Sequence, residues 1–225
     1  MLDTSIKLSE YLLKKDIQKG WDLLNEAINC GHHSAFIYDS LIRDAMYHVG
    51  ELWQENKINV AEEHLASATC EYLLAMYAQS NLKKQSSDKD TFPRVLLFCI
   101  EGEEHNLGLK MASSLFKEFG WDVYDLGDNL PLEYAKYSLQ TWKPDVVCLS
   151  VSIRHYLPKL KETLHTLKEI SPSTTFIVGS RLHDESAFLS CCLPDTLLAK
   201  DLDYLYQWLL SYQSQMKEWN RGVMM

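Results

Sequence analysis

The run Glu101-Gly102-Glu103-Glu104-His105-Asn106-Leu107-Gly108 sets a histidine two residues after a carboxylate and three before a glycine. Neutral imidazole is a good transition-metal ligand. A carboxylate bonded to one ring nitrogen fixes the tautomer that leaves the other for a metal. Gly108 has no side chain, so a bulky group can pass close to the backbone there. A second set of such residues lies upstream, where Trp53 is followed after nine residues by Glu63-His64. An indole offers an apolar stacking wall, and a Glu-His pair offers an acceptor and a donor to a polar ligand. Gly50, one turn before Trp53, costs a helix about 1 kcal/mol relative to Ala and reads as a point of close packing.

The elements that must position these residues fall into two patterns. Over residues 3 to 81 the apolar spacing is helical throughout. Ser5 to Lys14 reads as a short amphipathic helix, and Trp21 to Ile28 as a second ending near Gly31. Ser34 is the expected N-cap of a long helix to about Glu55, with Phe36, Ile37, Leu41, Ile42, Met46 and Val49 as its stripe. Asn59 is the expected cap of the next, Val60 to about Leu82, through Leu65, Ala68, Leu73, Leu74 and Met76. Short connections make this a four-helix bundle, residues 1–82. The polar, aperiodic stretch 83–92 reads as a linker.

From residue 93 to 225 strands alternate with helices. Arg94 to Ile100 is an apolar run of strand length, followed by a helix over Leu109 to Phe119 that stops at Gly120. Further strands are expected over Trp121–Leu126, Asp145–Ser150, Thr174–Val178 and, weakly, Thr196–Ala199. Helices follow from about Leu132, over Leu157 to Ile170, and from Leu202 to about Met216. Such alternation implies a parallel sheet with right-handed crossovers. Five units suit a flavodoxin-like (Rossmann-like) five-stranded sheet flanked by helices, whose crevice lies between the first and third strands. His105 then ends the first strand, Ser150 the third and Gly179 the fourth, all along one sheet edge. The fold class is α/β with an N-terminal helical domain.

Composition narrows the partners. The 225 residues are 46% hydrophobic and 24% charged, as in ordinary globular proteins. A net charge of −9 argues against nucleic-acid binding, which needs a basic face. No run approaches the roughly 18 apolar residues of a membrane span, and nothing reads as a signal peptide. The six cysteines form no CxxC pair, and Cys99 and Cys148 sit in strand-like runs as small hydrophobes. The reading is a reduced, cytoplasmic protein.

Three loop features converge on the sheet edge: Glu103-x-His105-x-x-Gly108, Ser150-Val151-Ser152 and Val178-Gly179-Ser180. Together they resemble the cobalamin-binding module, with Glu103 in place of its usual aspartate and Gly179-Ser180 in place of its glycine pair. The resemblance implies that His105 ligates cobalt and Glu103 orients it. It also implies that Gly108, Ser150, Ser152, Gly179 and Ser180 accommodate the nucleotide tail. The Trp53-x9-Glu63-His64 pattern and the Gly102 to Gly108 loop are similar to those of the CarH-type cobalamin-dependent photoreceptors, over about residues 20 to 200. In that family the helical cap covers the upper face of adenosylcobalamin, and the matching Trp53, Glu63 and His64 pack against the adenosyl group.

The resemblance implies a non-catalytic light sensor in which photolysis moves the cap and alters self-association, as dimer or tetramer, or binding of a protein partner. Fewer than 20 residues precede the cap, so no DNA-binding domain of that family is expected before it. Relatives can carry a histidine just after the tryptophan that takes up cobalt in the light. Here Gln54 stands there, which leaves His48, His64 or water to do so. The alternative reading is a corrinoid methyl carrier of a methyltransferase system, with methylcobalamin. A third is a scaffold that has kept the fold and lost the cofactor. Some stand-alone relatives also hold a linear bilin, which twelve tyrosines and eight histidines neither require nor forbid.

Overall fold

The computed structural model describes residues 2–81, 92–182 and 185–223. The expected linker therefore lies outside the described residues except for Phe92. Two compact units result, Met1–Leu82 and Lys83–Met225.

The first unit is helical: α1 (Leu2–Leu13), α2 (Ile17–Asn29), α3 (Ser34–Phe36), a π-helical stretch (Ile37–Arg43), α4 (Asp44–Gln54) and α5 (Val60–Asn81). From α3 to α4 the chain runs as one rod, so four helices pack. Leu8, Leu12, Leu24, Ile37, Tyr38, Leu41, Ile42, Val49, Leu73, Leu74 and Tyr77 fill the centre. Asn59 opens α5 as expected. Its Oδ1 accepts from the N–H of Ala61 at 2.9 Å and of Glu62 at 3.1 Å, while Glu62 accepts from Asn59 N–H at 2.8 Å. That reciprocity is a capping box.

Three expectations here are corrected. Ser34 is not the cap: His33 Nδ1 accepts from Phe36 N–H at 3.2 Å, and Ser34 is buried with its hydroxyl 2.9 Å from that of Tyr77. Burial decided this, because the hydroxyl had a tertiary partner. Leu65 and Ala68 lie on the exposed side of α5, whose buried face is Ala66, Thr69, Cys70, Leu73, Leu74 and Tyr77. Gly50 faces open space, with nothing within 4 Å of an added Cβ, so close packing is not its reason. The wide π turns were not legible in a 3.6-residue reading. They bring Ile37, Tyr38, Asp39, Leu41 and Ile42 all inward, with Asp39 paired to Arg43 at 2.7 Å.

The second unit has five parallel strands, β1 (Arg94–Cys99), β2 (Asp122–Asp125), β3 (Val146–Ser150), β4 (Thr175–Gly179) and β5 (Leu197–Ala199). Their order is β2-β1-β3-β4-β5, the flavodoxin-like order expected. Helices α6 (Leu107–Glu118), α7 (Leu132–Trp142), α8 (Leu157–Ile170), α9 (Glu185–Leu189) and α10 (Leu202–Val223) connect and flank the sheet. On one face Leu96, Phe98, Val147, Leu149, Phe176 and Val178 pack against Leu139, Leu160, Leu164 and Leu167. β1, buried at nearly every position, is the continuous apolar run that parallel sheets require.

All six cysteines are thiols rather than disulfides. Burial pushes the Cys99 and Cys148 thiols up to about 12 and Cys192 to about 11, whereas Cys30 is exposed. An alkylating reagent near neutral pH is therefore expected to modify Cys30 quickly in the native protein. Cys70, Cys99, Cys148 and Cys191 should react only after denaturation, as peptide masses would report.

Candidate functional site

β1 stops at Cys99, and five residues separate it from His105, so the histidine belongs to the loop rather than to the strand end. Two backbone features shape that loop. Glu103 N–H donates to the Ile100 carbonyl at 2.9 Å, and Gly102 adopts φ +91, where an L side chain is strained and would strike Tyr156. The loop is also laced to the one after β2. Gly102 N–H donates to Asn129 Oδ1 at 2.7 Å, Asn129 N–H to the Glu103 carbonyl at 2.9 Å, and Asn106 Nδ2 to Asp128 at 2.6 Å.

Glu103 is fully buried and accepts four hydrogen bonds. Oε1 takes the His105 backbone N–H at 2.9 Å and lies 2.6 Å from His105 Nδ1. Oε2 takes the Ser152 N–H at 2.6 Å and the Ser152 hydroxyl at 2.8 Å. Burial alone would raise the Glu103 carboxyl. The hydrogen bonds from His105 and Ser152 outweigh it and hold the group below its ordinary value. An ionised carboxylate only accepts, so Nδ1 is the donor to it, and in the neutral ring Nε2 is the nitrogen that carries the lone pair. The His105 side chain is 54% exposed. The buried acid thus anchors and tautomerises an imidazole whose other nitrogen faces outward.

The remaining predicted residues of this unit line the same sheet edge. Ser150 closes β3 and pairs in register with Cys99 of β1 and Gly179 of β4. An added Cβ at Gly108, in the first turn of α6, meets nothing within 4 Å, and one at Gly179 meets only the Leu149 carbonyl at 3.9 Å. These two glycines leave an open strip along the edge. Ser180 turns its hydroxyl to accept from Leu182 N–H at 3.1 Å. The contact of Ser152 with Glu103, across 49 residues, was invisible in the spacing. So was the role of Asn129, which adopts the left-handed conformation at φ 49.

Trp53, Glu63 and His64 lie in the helical unit, at the corner between α4 and α5. Lys57 N–H bonds the Leu52 carbonyl at 2.9 Å and Asn56 N–H that of Trp53 at 3.0 Å, a Schellman stop with Asn56 at φ 56. The capping box of Asn59 then starts α5, which sets the Glu-His pair in its first turn. Glu63 Oε2 lies 2.7 Å from His64 Nδ1, and Oε1 accepts from the Ser67 hydroxyl at 2.8 Å. Trp53 is 49% exposed, high for an indole, which is mostly buried on average.

Among the described residues no three His, Cys, Asp or Glu side chains converge as a metal site. A single imidazole of this kind suits a metal that arrives with most of its ligands, as in a macrocycle. The outward Nε2, the buried acid behind it and the open strip past Gly108 and Gly179 fit a corrin with a nucleotide tail.

Comparison with known proteins defines the class. Residues 93–190 match the profile of the B12 binding domain, and residues 7–77 match a second profile also described as a B12 binding domain. Each unit is thus similar to a B12 binding domain, which indicates a corrinoid cofactor. A corrinoid protein of Desulfitobacterium hafniense is 25% identical over 121 residues, covering 54% of this chain and 56% of that protein. The HTH-type transcriptional repressor CarH of Myxococcus xanthus is 26% identical over 136 residues, covering 60% and 43%. These alignments span about half the length of the relatives they match. The fold is that of the Methanosarcina barkeri monomethylamine corrinoid protein, with a TM-score of 0.72 and 16% identity over 93% of this chain and 98% of that one. Repressors and corrinoid proteins stand side by side among the relatives. No described helix is long and apolar enough to cross a membrane.

Proposed function

We propose that this chain is a cobalamin-dependent light sensor, with His105 as the lower cobalt ligand and Trp53, Glu63 and His64 as the residues that hold an adenosyl group. What carries it is the buried Glu103 behind the half-exposed His105 in the sheet unit, together with an exposed Trp53 and a preformed Glu63–His64 pair within the helical unit. Adenosylcobalamin supplies a cobalt–carbon bond that visible light cleaves. His105 would hold cobalt, Glu103 would fix the tautomer with the proton on Nδ1, and Gly108 and Gly179 would leave room for the tail. Trp53 gives the nucleoside a wall, and the Glu63–His64 pair bonds its polar edges. Loss of that group would leave the Trp53 and Glu63–His64 side chains without their ligand. Contacts worth about 1–3 kcal/mol each are then available to shift self-association or partner binding.

A methyl-carrier role is the second reading, and the corrinoid-protein relatives favour it. A carrier needs an accessible upper cobalt face and no nucleoside pocket. Absorption spectra and size-exclusion profiles of the protein with adenosylcobalamin, in the dark and after green light, separate the two. The sensor reading expects a light-dependent change in size or shape that Trp53→Ala abolishes while the dark cofactor stays bound. Photolysis with no change of size, shape or partner binding would leave the carrier reading standing.

Gly108→Ala offers a quieter test. Its Cβ enters open space in a helix, so the cofactor-free protein should gain about 0.5–1 kcal/mol of stability. Corrinoid affinity should fall by contrast, measured by titration. Equal affinity would remove Gly108 from the tail site.

A further inference from the structure

A second conspicuous surface of the sheet unit contains none of the residues assigned to the corrin. β2 is an edge strand, paired only with β1, and its sequence Asp122-Val123-Tyr124-Asp125 carries neither lysine nor proline. Natural edges are commonly guarded by those residues. Asp122 and Leu126 direct their N–H groups to β1, at 2.9 Å from the Pro93 and Leu97 carbonyls. By the alternation of a parallel ladder, the N–H and C=O of Val123 and Asp125 point the other way, along the open edge. Beside this edge a groove of about 460 Å³ runs between β2 and α7, lined by Asp122, Val123, Tyr124, Tyr137, Thr141 and Trp142. Tyr137 is 67% exposed and Tyr124 44%.

The geometry points to a docking site for an extended, arginine-bearing segment of a partner protein, added to the sheet alongside β2. Three features choose that occupant. The backbone edge accepts a strand, and main-chain bonds supply register. The rings and carboxylates suit guanidinium groups, which stack on aromatic faces and pair with acids. The surface already holds one such contact of its own, with Arg94 over the Trp142 ring at 5.9 Å and near Asp122 at 3.9 Å. A second copy fits poorly. A β2–β2 pairing would crowd the Asp122 and Asp125 carboxylates of two copies, each of net charge −9, along one short seam, and like charges repel. The net charge of −9 likewise favours a basic segment.

The test uses the full chain, with and without cobalamin, and a fluorescent peptide of alternating Arg and Val followed by anisotropy. A Glu-for-Arg peptide and a backbone N-methylated Arg-Val peptide are the controls. The Arg-Val peptide is expected to bind saturably, and each control at least about tenfold more weakly. Tyr137→Ser and Asp125→Lys should each lower its affinity by a similar factor, and amide NMR shifts should centre on Val123 and Asp125. Binding that ignores N-methylation or these substitutions overturns the site, as does no binding at all. Dimerisation of the chain that Tyr137→Ser abolishes would assign the edge to a second copy instead. None of these outcomes depends on whether light alters the protein.

Discussion

Glu103→Ala is expected to destabilise the cofactor-free protein by on the order of 3–5 kcal/mol, the range for breaking a buried charged network at one partner. Four hydrogen bonds disappear, and the Ser152 and His105 backbone N–H groups are left facing a cavity. Each orphaned buried donor costs about 1–3 kcal/mol. Against a typical total of about 5–15 kcal/mol this is a large fraction, so thermal unfolding should fall by many degrees. Glu103→Gln keeps the shape and one acceptor oxygen, and should cost visibly less. The sign with pH follows from the lowered carboxyl. Folding binds the Glu103 proton less readily than the unfolded chain does. Its stabilisation is therefore complete above the ordinary value of 4.5 and is lost as pH falls below it. The parent protein should lose stability below that pH more steeply than Glu103→Gln. A Glu103→Ala protein as stable as its parent would show that the network carries nothing.

How much of this was legible in the residues depends on the range of the contact. The parallel strands were, because a strand buried on both faces must be apolar along its length, as Val95 to Cys99 are. Helix α8 begins at Leu157 and ends at Ile170, as its pattern predicts. Local signals also held where nothing distant competed, as with the Asn59 cap and the stop at Gly120. They failed where a tertiary partner intervened. Ser34 looks like a cap and is taken instead by Tyr77, 43 residues away. Spacing placed Glu103 beside His105 but not Ser152 behind it, since that contact depends on the β1–β3 register. Gly50 misled for a different reason. A glycine in a helix signals that a side chain is unwanted, and whether a neighbouring helix or a ligand is responsible is not written in the sequence.

His105→Ala separates the binding site from the scaffold. Alanine keeps the backbone N–H that Glu103 accepts, and Ser152 still supplies two bonds, so the acid remains mostly satisfied. The lost side chain is half exposed, and apo stability should change by no more than about 1 kcal/mol. Corrinoid binding should respond far more. Loss of a supporting partner alone costs metal sites about 10–100-fold in affinity, and removal of the ligating imidazole should cost at least as much. The spectrum of whatever corrinoid remains should change, because cobalt no longer has a protein nitrogen on that side. Free imidazole added to the variant should restore part of the parent spectrum by entering the vacated space against Glu103. Gln at 105 should not do so, as its amide is a poor metal ligand. Parent and variant with the same affinity and the same spectrum would sink His105 as the cobalt ligand, even though Glu103 and Ser152 stayed in place.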